Sequence, residues 1–182
     1  MAKRANCILG QICRAFHFRD RHVFIKLYKT YVRVHLEYCS PAWSPWQSGD
    51  IETLERVQRR AVRMVSGLKG RSYEEKLVEI GLDTLLNRRM RADMIQTFKI
   101  LKGVDNVDPS VWFRTVENNN SIQTRRSAYP LNLLHQRSNL EIRRNFFSVR
   151  VAEPWNCLPK SVKEAEKIEQ FKKLYDDYSS LS

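Results

Sequence analysis

Apolar residues in this chain recur at intervals of three and four, and that spacing commits most of its length to helices rather than strands. The clearest case lies between Asp50 and Ser66, where Ile51, Leu54, Val57, Ala61, Met64 and Val65 make one face. Asp50 can accept hydrogen bonds from the first free amides, and Gly67 can close the far end. On the opposite face Arg56, Arg59, Arg60 and Arg63 stand at i, i+3, i+4 and i+7. That spacing suits a phosphate ladder, because a guanidinium fork donates two parallel hydrogen bonds to phosphate oxygens without reading sequence. A solvated face paired with Glu52 or Glu55 would carry the same pattern.

The same periodicity places further helices. Val23, Phe24, Leu27, Tyr28, Tyr31, Val34 and Tyr38 form a stripe over 22–38, with Lys26, Lys29 and Arg33 opposite and Pro41 and Pro45 as stops. In the connector 40–49, Trp43 and Trp46 could stack on bases, but plugging the edge of a core is the stronger expectation, most of all for Trp43. Ser72-Tyr73-Glu74-Glu75 has the form of a capping box, opening a short helix that Gly81 closes. A longer helix follows to Lys102, packed through Leu86, Met90, Met94, Phe98 and Leu101, with Arg88, Arg89 and Arg91 near its start. Cations there oppose the helix dipole, so stem packing or polyanion contact must account for them. Residues 117–127 are polar and include three consecutive asparagines, which predicts a linker between a larger helical domain, 1–116, and a smaller one, 128–182. Beyond it come weak alternation from Arg125 and Arg126 through Leu134, a helix over 143–158 burying Phe146, Phe147, Val151 and Trp155, with Pro154 arguing for a kink or a break before Trp155-Asn156, and a final helix over 161–178. The fold class expected is mainly α, with at most one or two short extended segments.

A chain of 182 residues can bury a core without disulfides or metal. Its net charge is +12, and the excess is uneven, with twelve basic and five acidic side chains in residues 1–66 against four and five in 161–182. A polyanion is the natural partner for such a field, although basic surface can also simply solubilise. Cys7, Cys13, Cys39 and Cys157 are too irregularly spread for a disulfide scaffold and no secretory leader is visible, so free thiols and an intracellular, nuclear or cytoplasmic location are expected. No apolar run approaches the roughly 20 residues a bilayer requires, so no membrane partner is expected.

Catalytic and metal constellations are not forthcoming. Cys7, Cys13, His17 and His22 match no familiar zinc spacing, and His35 reads as a structural histidine beside the apolar stripe. Tyr175-Asp176-Asp177-Tyr178 offers an aspartate pair, but Phe171, Leu174, Tyr175 and Tyr178 recur at helical spacing and leave both aspartates towards water. No cofactor, metal site or autonomous catalysis is expected.

His35-Leu36-Glu37-Tyr38-Cys39-Ser40-Pro41-Ala42-Trp43, followed by the arginine-bearing helix, resembles the segment just after the catalytic palm in reverse transcriptases of non-LTR retrotransposons, the LINE and jockey-like elements. The resemblance continues through 67–77 and 96–103, and returns at Phe146-Phe147-Ser148-Val149-Arg150-Val151 and Trp155-Asn156-Cys157-Leu158-Pro159. It implies that 1–116 is a thumb-like helical domain, without the palm aspartates that hold two metal ions in that family of RNA-directed DNA polymerases. The function it implies is non-catalytic contact with template-primer RNA, DNA or hybrid through backbone phosphates, alongside a palm domain supplied by a longer chain. Arg56, Arg59, Arg60 and Arg63 would lead, with Lys26, Lys29, Arg33, Arg88, Arg89 and Arg91 secondary. The alternative is a structural or protein-interaction helical remnant with no nucleic-acid role.

Overall fold

The computed structural model describes residues 1–16, 20–116 and 129–181. His17, the expected linker 117–127, and Arg125 and Arg126 lie outside the described residues. Among the described residues the fold is mainly helical, and the one extended pairing is an isolated antiparallel bridge between Thr115 and Leu133. None of these helices is long and apolar enough to cross a membrane. The chain forms two compact units, Met1–Arg89 and Met90–Ser182. That division replaces the expected one at 117–127. Phe113 packs in the same core as Leu133 and Phe147, so the two flanks of the polar stretch belong to one unit.

The first unit holds α1 (Ala2–Ala15), α2 (Arg21–Leu27), a π-helical segment (Tyr28–Val32), α3 (Arg33–Glu37), α4 (Ser40–Trp43), α5 (Ser48–Arg63), α6 (Tyr73–Ile80) and the start of α7 (Leu85–Leu101). Helix α1 was not among the expected elements, yet Ala5, Leu9 and Ile12 recur at four and three and are buried in the core.

From Arg21 to Glu37 the backbone is helical throughout, as the spacing predicts, and Phe24 and Tyr28 of the expected stripe are buried, but beyond them the buried face shifts. Phe24, Ile25, Tyr28, Val32 and Leu36 point inward, whereas Val23, Tyr31, Val34 and Tyr38 of the expected stripe are exposed. The π-helical segment is the cause. The Arg33 N–H donates to the Tyr28 carbonyl five residues back, which makes one wide turn. In a regular helix of 3.6 residues per turn, positions four apart drift steadily around the axis. The wide turn takes that drift back, so positions 24, 28, 32 and 36 stay on one face.

Cys39, in the left-handed region at φ 52°, turns the chain sharply after α3. Pro41 then sits in the first turn of α4, where no amide donor is needed, and starts a helix instead of stopping one. Trp43 donates its indole N–H to the Tyr38 carbonyl and packs against the core, whereas Trp46 is exposed. Helix α5 starts at Ser48 without a side-chain cap, so Asp50 acts within its first turn, where a carboxylate favours the dipole. The capping box forms as expected: Ser72 Oγ accepts from Glu75 N at 3.2 Å, and Glu75 Oε2 accepts from Ser72 N at 2.8 Å. Gly81, at φ 60°, closes α6.

A buried polar knot joins these helices. Gln58, fully buried, accepts from the Tyr28 hydroxyl at 2.7 Å and donates to the Tyr73 hydroxyl at 3.0 Å and the Asp83 carbonyl at 2.9 Å. Tyr73 donates to Glu55, whose second oxygen accepts from Leu85 N at 3.1 Å, at the first turn of α7. Burial raises both tyrosines above the ordinary phenol range, and for Tyr73 the bond to Glu55 adds to the effect.

The second unit takes the rest of α7 and adds α8 (Pro109–Trp112), α9 (Glu141–Arg144), α10 (Phe147–Arg150), α11 (Ala152–Cys157), α12 (Lys160–Lys163) and α13 (Ile168–Leu181). Phe171 stacks on Phe98 at 4.4 Å between ring centroids, with Trp155 at 5.9 Å and Tyr175 at 6.1 Å, and each such pair adds about 0.5–1.5 kcal/mol beyond area burial. Met94 and Phe98 are buried as expected on α7, but Leu86 and Met90 are exposed. The expected helix 143–158 is three short ones, and Pro154 lies in the first turn of the third, where it costs no hydrogen bond. Phe146 is exposed instead of buried. The expected helix 161–178 is likewise two, α12 and α13, with Ala165 buried between them.

Trp155 and Asn156 clasp the returning segment. Trp155 Nε1 donates to the Leu131 carbonyl at 2.9 Å, and the Asn156 amide pairs with both the N–H and the carbonyl of Leu133 at 2.8 Å. Lys163, also buried, donates to Asn132 Oδ1 and to the Asn156 carbonyl at 2.9 Å each. Asp93, buried on α7, accepts both arms of Arg150 at 2.9 and 3.0 Å.

Candidate nucleic-acid interface

Helix α5 separates its four arginines into two sets. Arg56, Arg60 and Arg63, at i, i+4 and i+7, are exposed along its outer side. Arg59 lies on the flank towards α6, half-buried, bonded to Glu52 at 2.7 Å and resting 5.1 Å above the Tyr73 ring. Among the described residues Arg56 and Arg63 meet no carboxylate, and Arg60 donates only to Asn6 Oδ1, at 3.3 Å. Three adjacent guanidinium groups thus face water with their charge uncompensated.

Asn6 brings α1 beside this ridge. Lys3, Asn6, Gly10 and Arg14 follow one another at intervals of three, four and four, so they run along a single flank of α1. Lys3 and Arg14 are exposed, and Gly10 leaves open space where a side chain would stand. Cys13 Sγ meets Met64 Sδ at 3.0 Å and holds the same two helices together further along. The ridge is therefore broader than α5 alone, with Lys3 and Arg14 joining Arg56, Arg60 and Arg63. Sequence reading missed both additions, because it assigned no helix to the first fifteen residues.

The secondary basic residues are placed differently. Lys26, exposed, and Lys29, half-buried, border a separate groove of about 410 Å³ lined also by Arg21, His22, Ile25, Thr30, Glu79 and Ile80. Glu79 there accepts from Arg21 at 2.8 Å and from Arg71, and these bonds hold its carboxyl below the usual range. Arg33 and Arg88 converge on Glu37. Arg88 grips it with both arms and is pushed up by that bond, whereas burial and the neighbouring Arg88 push Arg33 down. Arg91 holds Asp176 at 2.6 and 2.8 Å within the second unit. Arg89 is 2% exposed and offers no surface to a phosphate. The start of α7 is therefore not the second cationic cluster that its sequence suggested; its arginines are spent on Glu37, on Asp176 and on the interior.

The contact with Arg91 engages Asp176, the first of the two adjacent aspartates on α13. Tyr175 is buried, and Asp176 and Asp177 face water on α13, as the helical spacing predicts. Among family models, curated proteins and solved structures, no match to this chain is found.

Proposed function

We propose that the first unit grips the sugar-phosphate backbone of a template-primer duplex, RNA–DNA hybrid first among them, as a non-catalytic C-terminal portion of a non-LTR retrotransposon reverse transcriptase. The observation that carries this reading is the ridge Arg56, Arg60 and Arg63, widened by Lys3 and Arg14 and without a carboxylate against its outer side among the described residues. Each phosphate that such a ridge neutralises releases condensed counterions, so affinity falls as salt rises. Contacts to phosphates carry no sequence information, so binding on this reading is sequence-tolerant. Chemistry on the nucleic acid belongs, on this reading, to a palm domain elsewhere in a longer chain, and the site of action is intracellular, nuclear or cytoplasmic.

A second reading, a protein-interaction role, draws on the exposed stripe of Tyr31, Val34 and Tyr38, which the wide turn leaves facing outward. It is compatible with the first if the neighbour on that stripe is the palm itself. The deciding experiment is fluorescence anisotropy with two RNA–DNA hybrids of unrelated sequence. Equal affinities for the two hybrids, lost together in Arg56→Gln/Arg60→Gln/Arg63→Gln, support the grip. Equal affinities that survive in that variant leave the protein-interaction reading standing alone.

A further inference from the structure

Away from the α5 ridge, the second unit carries an aromatic pair at the edge of its core, Phe146 exposed and Trp112 half-buried. Trp112, at the end of α8, lies parallel to Phe146, with centroids 6.4 Å apart and planes 2° apart, and the Arg143 guanidinium stands 5.0 Å above the Phe146 ring. Trp112 also meets the edge of buried Phe147 at 6.1 Å, which fixes the stack to the core. Around it Val111 is 75% exposed, Leu140 67%, Ile142 65% and Phe146 itself 42%. A single exposed leucine would mean nothing, but apolar side chains gathered about two stacked rings mark a surface that meets a partner.

The charge of the surroundings narrows the partner. Arg114, Arg137, Arg143 and Arg144 are all exposed on these elements, against Asp108 and Glu141. Arg143 is steadied by Gln136 Oε1 at 3.1 Å as it stands over the Phe146 ring, and Arg144 is held by the Ser138 carbonyl at 3.0 Å. Flat aromatic faces rimmed by guanidinium groups suit planar bases joined by phosphates. In a duplex the faces of the bases already cover one another. Only an unpaired strand can lay a base on Trp112 or Phe146.

We propose that Trp112, Phe146 and Arg143 form a stacking platform for single-stranded nucleic acid, with Arg114, Arg137 and Arg144 taking its phosphates. The platform is a separate site from the α5 ridge and does not rest on that assignment. It is tested on the full chain with labelled oligo-uridine, oligo-thymidine and a hybrid duplex of equal length, the two single strands distinguishing RNA from DNA. Phe146→Ala with Trp112→Leu is expected to weaken single-strand binding roughly tenfold or more while leaving hybrid affinity within about twofold. Arg137→Gln with Arg144→Gln, which leaves both rings and Arg143 in place, is expected to lower the salt slope for the single strand by about 1.4. The ridge variant should do the reverse and act on the hybrid. If the double ring variant does not fold by circular dichroism, Phe146→Ala alone, at an exposed ring, decides. Folded ring variants that keep full single-strand affinity overturn the proposal, whether or not the hybrid still needs the ridge. So does a ring variant that changes only the self-association of the chain, because the patch is then a contact between copies.

Discussion

Gln58 shows how much one side chain can settle. It sits on the same helix as the exposed arginines, yet it is fully buried and serves three partners from three other parts of the first unit. Gln58→Ala leaves the Tyr28 hydroxyl without its acceptor, which should cost roughly 1–3 kcal/mol in urea unfolding. The tyrosines of the same knot give a pH signature. Both are raised above the ordinary value of 10.0 in the folded chain, chiefly by burial, so above that value the unfolded state loses protons that the folded state keeps. The contribution of the two tyrosines should therefore be flat below pH 10.0, stability should fall as pH rises beyond it, and Tyr28→Phe with Tyr73→Phe should flatten that fall. None of this was legible in the sequence, where Gln58 looks like one more polar position among arginines. The ridge itself was half legible: spacing placed Arg56, Arg59, Arg60 and Arg63 on one side of α5. It offered Glu52 as a partner for the arginines, but it could not tell that Arg59 alone would take it and settle over Tyr73.

Elements were legible where chemistry marks their ends, and less so where helical geometry departs from the regular period. The capping box and Gly81 bounded α6 because each feature satisfies backbone groups that nothing else nearby could satisfy. The stripe over 22–38 holds for Phe24 and Tyr28 and loses the buried face beyond them, because the wide turn at Tyr28–Val32 resets the phase and no residue in that turn announces it. The expected helix 143–158 failed for another reason. Side chains on its short pieces are committed to neighbours, Arg150 to Asp93 and Asn156 to Leu133, and those bonds hold directions that one straight helix could not. Arg150→Met takes two charge-assisted hydrogen bonds from the buried Asp93 carboxylate, and it should destabilise the second unit by about 3–5 kcal/mol in thermal or urea unfolding. The Trp155-Asn156 pair is now explained in physical terms as the clasp on 131–133.

For the molecule as a whole, the mainly helical class followed from periodicity, but the partition into units did not. A polar, asparagine-rich stretch predicts a boundary on composition alone, and composition cannot see that Phe113 on one side and Leu133 on the other share a core. The charge balance had the same limit, since it counts cations without saying which are already paired. Most of the basic residues at the start of α7 answer carboxylates of their own unit, whereas those on the outer side of α5 do not. The claim that this surviving ridge meets phosphates is tested most directly by the slope of log affinity for an RNA–DNA hybrid against log salt, taken between about 50 and 200 mM. Replacing Arg56, Arg60 and Arg63 with glutamine should flatten that slope by about two to three, whereas Arg59→Gln should leave it nearly unchanged. An identical slope and affinity in the triple variant would contradict the account.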